Sequence, residues 1–528
     1  MTDGLSGAHS PPSLAHRRRW IERFRLSVLD RLEPLVDLVE DEVGKPRHEI
    51  VTTEILPLVA SCRWHERNLD RLLRPRGLGL GAWWLTGQRH REHREPLGRV
   101  AIIATWNYPV QLLGIQLLQA IAAGNEVVVK PSERAPRTQE YLLWLARDAG
   151  LSERQLTWID ATRAAGEALL MTERFDHILF TGSTEVGRDI ARLGATTLTP
   201  TTLELSGQDS AFVLEDCDAA LAAKAIWNAV TMNAGQTCMA PRRALVEVGA
   251  YGAFLAALAP LAAAARGVNL IDEGAATRCH ELSRSAHDAG ARSLSGVLEA
   301  PEGRRFRPLA MVDCPESAAL VDGDHFGPVL AVVPIASVKA GLTIHHRVGK
   351  HLATSIFTRS RHRVEELRRL LGSSLITVND AVVPSAHPGA SIGGRGESGW
   401  GVSRGREGLL ALTRAVVVSR TPSLLRLPTD PPTSAALSTL IRVARFLDGG
   451  GDGGGDGGGD GGGDGRRNGR RDQGLDVRGK STPAMSEAPA SSATAAQSTS
   501  EQPAGAARPG ATESRNRQPQ DNSTRGGA

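Results

Sequence analysis

Residues 100–130 read VAIIATWNYPVQLLGIQLLQAIAAGNEVVVK, and this stretch decides the fold. Residues 100–104 form a short apolar run that ends in a Thr-Trp-Asn-Tyr-Pro bend, which predicts a buried strand. Residues 111–123 follow as a helix and 127–129 as a second strand. Downstream the alternation continues with a helix over 138–149, a strand over 156–159, a helix over 164–171 and a strand over 177–180. Such alternation implies a parallel sheet with helices on both faces. Strand-like runs at 211–214, 244–248, 329–334, 354–357 and 375–378, alternating with helical stretches at 219–232 and 361–371, predict a second α/β unit. Upstream, Trp20, Phe24, Leu26, Val28, Leu29, Leu32 and Leu35 recur every three to four residues, which makes 16–75 helical. Between these parts lie a Gly-rich stretch from Gly77 to Gly81, the pair Trp83-Trp84 and a His/Arg run to Pro96, read as an exposed hairpin.

Composition narrows the class. The chain has 528 residues, 41% hydrophobic and 23% charged, with a formal net charge of +4. So small a charge gives no global basic field and argues against a nucleic-acid partner. No apolar run reaches the ~18–20 residues of a membrane span, and the first 20 residues lack a signal-peptide core. The five cysteines are odd in number and wrongly spaced for a disulfide frame or a zinc site, so a reduced cytoplasmic protein without a bound metal is expected. From Asp448 the sequence changes to a Gly/Asp repeat with Asp at 448, 452, 456, 460 and 464, then a Ser/Ala/Pro-rich stretch. No aromatic residue follows Phe446, so 448–528 reads as a disordered tail rather than a calcium-binding array.

Several polar residues interrupt the apolar pattern where strands end. Cys238 lies in Asn233-Ala234-Gly235-Gln236-Thr237-Cys238, between a helical stretch and Pro241, so its thiol sits in a turn. A thiol there is a nucleophile if its thiolate is stabilised and an inert buried side chain if not. Glu204, in Thr202-Leu203-Glu204-Leu205, is either a buried general base or an edge-strand carboxylate facing water. Asn107 follows the first strand, placed to donate to an oxyanion or simply to shape a turn. Lys130 and Glu133, just after the second strand, suit two ribose hydroxyls. Gly182-Ser183-Thr184-Glu185-Val186-Gly187 opens a helix after a strand, where small residues let backbone approach a pyrophosphate. It is not the usual G-x-G-x-x-G fingerprint.

In chain order, Trp106-Asn107-Tyr108-Pro109, Lys130-Pro131-Ser132-Glu133, Phe180-Thr181-Gly182-Ser183, Leu203-Glu204-Leu205, Gly235-Gln236-Thr237-Cys238 and Phe326-Gly327-Pro328-Val329 together resemble the aldehyde dehydrogenase superfamily, in particular its shorter, dimer-forming class of fatty- and aromatic-aldehyde enzymes. The resemblance spans about residues 16–425. It implies oxidation of a small-molecule aldehyde to a carboxylic acid with NAD preferred and NADP also used. Cys238 is then the nucleophile, Asn107 an oxyanion donor and Glu204 the base that activates water. Trp106, Lys130, Glu133, Gly182, Ser183, Asp324 and Phe326 are then the cofactor contacts. Asp324 stands where the family usually has Glu, one methylene longer. Leu205-Ser206-Gly207-Gln208 replaces the usual Leu-Gly-Gly-Lys, and Ile392 stands where Phe is common.

The resemblance further implies two Rossmann-like parallel-sheet domains, with 16–76 and 97–205 binding cofactor and 206–395 catalytic. A small β oligomerisation element from 77–96 and 411–420 would build a homodimer. Residues 396–410 would return the chain, and 434–447 would be an added amphipathic helix. Two other readings stay open on sequence: a coenzyme A-dependent acyl-transferring or reductase member of the superfamily, and a non-catalytic binding protein that retains the fold.

Overall fold

The computed structural model of the chain describes residues 11–79, 81, 85, 87–296, 298–421 and 431–447. The expectations for Trp83-Trp84 and for the tail 448–528 fall outside them. The described residues up to Pro431 form one compact unit.

Its first sheet has six strands in the order Gly399–Trp400, Thr201–Leu205, His177–Gly182, Arg99–Ile103, Glu126–Lys130 and Leu156–Trp158. All neighbours are parallel except Gly399–Trp400, which runs antiparallel to Thr201–Leu205. The chain leaves Arg99–Ile103 towards Glu126–Lys130 on one side and later returns to its other side with His177–Gly182. Strand order therefore reverses there, and a crevice opens beyond the carboxyl ends of these strands. The helix Gln111–Ala123 behind the sheet is buried along its whole length. One side faces the sheet and the other the N-terminal helices, which is why its sequence is apolar all round. Gly114 makes that packing close, since a Cβ there would lie 2.7 Å from Leu58 Cδ2.

The N-terminal segment is the helices Leu14–Asp30, Leu32–Val43, Arg47–Ile50 and Leu56–Leu73, with a π-helical turn at Val51–Ile55 between the last two. Trp20 and Phe24 stack at 5.4 Å in the core. Leu26, expected in the same apolar stripe, points outward and is 45% exposed. Charged neighbours fill the rest of that solvent face.

The second sheet has seven strands, ordered Arg292–Ser293, Leu309–Val312, Val329–Ile335, Pro241–Glu247, Asp209–Val213, Ala353–Phe357 and Leu375–Val378. All pairs are parallel except the first. A third, antiparallel sheet joins Arg76–Gly77, Arg89–Pro96 and Thr413–Arg420, with Thr413 opposite Pro96 and Arg420 opposite Arg89. Within 396–410, Gly399–Trp400 joins the first sheet and the helix Gly405–Ala411 begins.

The helix Ser434–Leu447 belongs to a separate unit. Leu437, Leu440, Ile441 and Phe446 on it are all exposed. Among the described residues no helix is long and apolar enough to cross a membrane.

Candidate active site

Between the two parallel sheets a cavity of about 310 Å3 is lined by Trp106, Asn107, Gly182, Ser183, Glu204, Cys238, Asp324 and Phe326, among others. Eight of the residues singled out from the sequence thus meet in one place. The remaining two, Lys130 and Glu133, line a cleft of about 540 Å3 that shares Trp106, Gly182 and Ser183 with it.

Cys238 follows a 3-10 turn, Met232–Gly235, whose Asn233, Ala234 and Gly235 have φ of 52°, 52° and 70°. Three successive left-handed residues reverse the chain sharply. At Gly235 only glycine fits, because a Cβ would lie 2.3 Å from the Gly327 carbonyl carbon. The turn is clamped by Arg242, fully buried, whose Nη1 donates to the carbonyls of Gly235 (2.7 Å) and Gly327 (3.2 Å) and whose Nη2 donates to Thr237 O (2.8 Å). The same guanidinium lies 5.3 Å from the Phe326 ring. One buried cation therefore joins the loop of Cys238 to the loop of Phe326. Read as sequence, Arg242-Arg243 looks like a solvated pair, yet every residue of the strand Pro241–Glu247 is buried.

Asn107 is held just as firmly. Its Nδ2 donates to Gln236 O (3.0 Å), which leaves a second amide proton for the cavity, and its Oδ1 accepts from Thr105 Oγ1 (3.2 Å). Its carbonyl accepts from Asn233 Nδ2 (2.8 Å) and Lys45 Nζ (3.1 Å). Lys45 pairs with Glu54 at 2.5 Å, both side chains fully buried. Glu54 Oε2 also takes the backbone N–H groups of Val110 (2.8 Å) and Gln111 (3.1 Å), at the positive end of the helix Gln111–Ala123. Lys45 and Glu54 were not foreseen. In an amphipathic N-terminal helix a Lys and a Glu look like surface charges.

Glu204 sits on Thr201–Leu205 with Gly399 as its cross-strand partner and accepts a hydrogen bond from Ser403 Oγ. Covered by this extra strand, its carboxyl is pushed up to about 7 by burial, with Arg404 opposing the rise. Burial likewise pushes the Cys238 thiol up to about 12, the Glu204 charge adding to it and Arg404 and Arg242 pulling it down. The thiol is thus protonated at rest, beside a carboxyl that ionises near neutrality. All five cysteines are free.

The adjoining cleft lies at the carboxyl ends of the first sheet's strands, beside Ile103, Lys130 and Gly182. A Cβ at Gly182 would fall 2.4 Å from the Phe180 ring, and one at Gly166 3.3 Å from Lys130 Cγ, so neighbouring side chains already crowd both glycines. Ser183 caps the helix Thr184–Thr197, its Oγ accepting from Val186 N (3.3 Å), with the helix N-terminus facing the cleft. Lys130 Nζ bonds Glu133 Oε2 at 2.6 Å across the floor. At the other end, Asp324 Oδ2 accepts from Lys350 Nζ (2.8 Å), while its buried Oδ1 has no protein partner. Trp106 and Phe326 meet edge to face at 6.0 Å over the opening. Away from this region His345, His346 and His351 bring ring nitrogens within 4.8 Å of one another. Both nitrogens of His345 are already engaged, by Ser210 Oγ and Leu371 O.

Residues 8–418 match the model of the aldehyde dehydrogenase family. A 4,4'-diapolycopene-4,4'-dial dehydrogenase of Cytobacillus firmus is 30% identical over 410 residues, covering 76% of this chain and 89% of that protein. The dimeric NADP-preferring aldehyde dehydrogenase of Rattus norvegicus is 29% identical over 325 residues, covering 60% and 70% of the two chains. Among solved structures, the Mycobacterium tuberculosis aldehyde dehydrogenase complexed with NAD+ superposes with a TM-score of 0.71 at 26% identity, covering 80% of this chain and 87% of that one. With that match running through both sheets and the cavity between them, the chain belongs to the aldehyde dehydrogenase family, and its activity is the NAD(P)-dependent oxidation of aldehydes.

Proposed function

We propose that Cys238 is the nucleophile of this reaction, Asn107 the side-chain oxyanion donor and Glu204 the general base. The convergence of these three residues on one cavity carries the reading. Sγ of Cys238 adds to the aldehyde carbon while its proton passes to a base, and Glu204 is the carboxyl of the cavity that ionises near neutrality. The oxyanion is held by the free amide proton of Asn107 and the backbone N–H of Cys238. NAD+ or NADP+ bound in the adjoining cleft supplies the hydride acceptor. Glu204 then deprotonates the water that hydrolyses the thioester on Cys238, releasing the carboxylic acid.

The dinucleotide is held by Lys130 and Glu133 at the adenosine ribose, Gly182 and Ser183 at the pyrophosphate, and Trp106, Asp324 and Phe326 at the nicotinamide end. NAD is preferred over NADP because the Glu133 carboxylate accepts a 2′-hydroxyl and opposes a 2′-phosphate, a repulsion that Lys130 tempers without cancelling. The segments 16–76 and 97–205 act as the cofactor-binding domain and 206–395 as the catalytic one. Two copies join through Thr413–Arg420, whose outer edge is unpaired in the third sheet and whose Val417 and Val418 are exposed.

The test is acid formation from an aldehyde panel with and without coenzyme A, for the parent and Glu204→Gln. Acid release independent of coenzyme A, lost in the variant, is expected. A variant that hydrolyses at the parent rate removes Glu204 from the mechanism. A higher kcat/KM with NADP overturns the cofactor preference, and a monomer by light scattering overturns the dimer.

A further inference from the structure

On the side of Cys238 away from the nucleotide cleft lies a second, smaller cavity of about 170 Å3, lined by Thr52, Thr53, Gln111, Thr237, Cys238 and Arg404, among others. Among the described residues that line it there is no Asp, Glu, Lys or His, and Arg404 is the one charged side chain. Arg404 and Cys238 also border the main cavity, so the two spaces share these residues.

This arginine is unlike the other buried arginines. Arg17 donates to the carbonyls of Pro12 and Ala122. Arg242 donates to three carbonyls through its two terminal nitrogens, though its buried Nε has no partner among the described residues, and Arg243 donates to carbonyls, Ser210 and Asp322. Arg404 is only 8% exposed, yet among the described residues its guanidinium has a single partner, Gln111 Oε1 at 3.4 Å. No carboxylate lies within ion-pair distance of it, although the Glu204 carboxyl of the main cavity feels its charge, and its other nitrogens are not among the buried atoms left without a partner. The backbone fixes the residue there. Arg404 has φ of 61°, its N–H donates to Gln119 Oε1 (3.1 Å), and its carbonyl accepts from Gly408 N in the helix Gly405–Ala411. An always-charged fork of donors with a single side-chain hydrogen bond favours an anion that fills the remaining ones.

We infer that Arg404 is a specificity-determining residue that binds the carboxylate of a short aldehyde carrying an acid group, so that the preferred substrates are ω-oxo acids rather than neutral aldehydes. The carboxylate takes the free guanidinium N–H groups, while the aldehyde carbon at the other end of the molecule reaches Cys238 Sγ in the same cavity. This inference rests on the reading of Cys238 as the nucleophile.

The experiment compares 4-oxobutanoate and 5-oxopentanoate with their methyl esters, which match them in length and lack the charge, on the full chain with NAD. Butanal and benzaldehyde serve as plain aldehydes. The parent is expected to favour each acid over its ester by about tenfold to a hundredfold in kcat/KM. Arg404→Met should bring that ratio close to one, and Arg404→Lys, which keeps the charge without the fork, should keep part of it. The ratio compares two substrates on one preparation, so partial misfolding of a variant cancels. A second readout needs no turnover: succinate should slow alkylation of Cys238 by iodoacetamide in the parent and not in Arg404→Met. Equal or better use of the esters by the parent, or an acid-to-ester ratio unchanged by Arg404→Met, overturns the inference. So does oxidation of butanal and benzaldehyde without oxidation of either oxo acid. Failure to oxidise any of these aldehydes with NAD or NADP strikes instead at the nucleophile assignment beneath it.

Discussion

The two loops that flank the thiol of Cys238 are anchored by opposite means. Asn107 is held from behind by Lys45 and Glu54, a fully buried pair of opposite charges supplied by the N-terminal helices. The Cys238 loop is held by one cation, Arg242, whose donors go to backbone carbonyls within the second half of the fold. An ion pair can be removed as a unit at modest cost, whereas removing one member strands the other. A guanidinium bound to carbonyls has no partner to strand, but its fork has no substitute. Position of the oxyanion donor therefore depends on residues some sixty positions upstream, while the nucleophile's turn carries its own clamp.

The largest expected effect tests the first anchor. Lys45→Met leaves Glu54 buried and unpaired and should cost about 3–5 kcal/mol of stability in urea unfolding. Lys45→Met with Glu54→Leu should recover much of it, and a double variant as unstable as the single would show that the two do not act as a pair. Next, Asn107→Ala removes the donor that the anchor positions. A fall in kcat of about 10²–10³, with the circular dichroism spectrum unchanged, is expected; a fall below tenfold would show that the Asn107 loop contributes only shape. Arg242→Lys tests the second anchor. One ammonium cannot span the three carbonyls, so a loss of about 1–3 kcal/mol is expected, together with altered alkylation kinetics of Cys238. A fully stable Arg242→Lys would mean that charge alone suffices there.

The smallest effects concern pH. Glu204, raised to about 7, is a base only when deprotonated, so kcat should climb through about pH 7 and level off above it. Its folded-state affinity for a proton exceeds that of the ordinary carboxyl at 4.5, so its contribution to stability is present below about 4.5 and lost as pH rises through about 7. Glu204→Gln should therefore flatten the pH profile of what activity is left. It should also raise Tm at pH 8 but not at pH 4, and an equal change at both would assign the effect to packing.

What the sequence made legible follows from periodicity. The strands from Arg99–Ile103 to His177–Gly182 stand out because each is a short apolar run closed by a turn and followed by a helix. The strands Arg292–Ser293 and Gly399–Trp400 are two residues long, below the length at which a pattern exists. At the site, Asn107, Glu204 and Cys238 were visible as polar residues in apolar settings. Lys45, Glu54 and Arg242 were not, because a charge is buried by its partners, and those lie from 5 to 85 residues away along the chain for Arg242 alone; nor was Arg404, whose one side-chain partner, Gln111, lies 293 residues away. Asp324 shows the converse: its place before Phe326 was readable, but its engagement by Lys350 was not.

The π-helical turn at Val51–Ile55 gives the N-terminal arm an unusual sensitivity. There the N–H of Leu56 returns to the carbonyl of Val51, one residue more than an α-helical turn holds. Each residue of a helix advances the side chains by about 100°, so deleting any one residue of this turn would rephase everything before it against Leu56–Leu73. Glu54 would swing off the helix end it caps, and Thr52 and Thr53 would leave the substrate-side cavity they line. This stretch is therefore as intolerant of a change in its length as it is of the loss of Glu54.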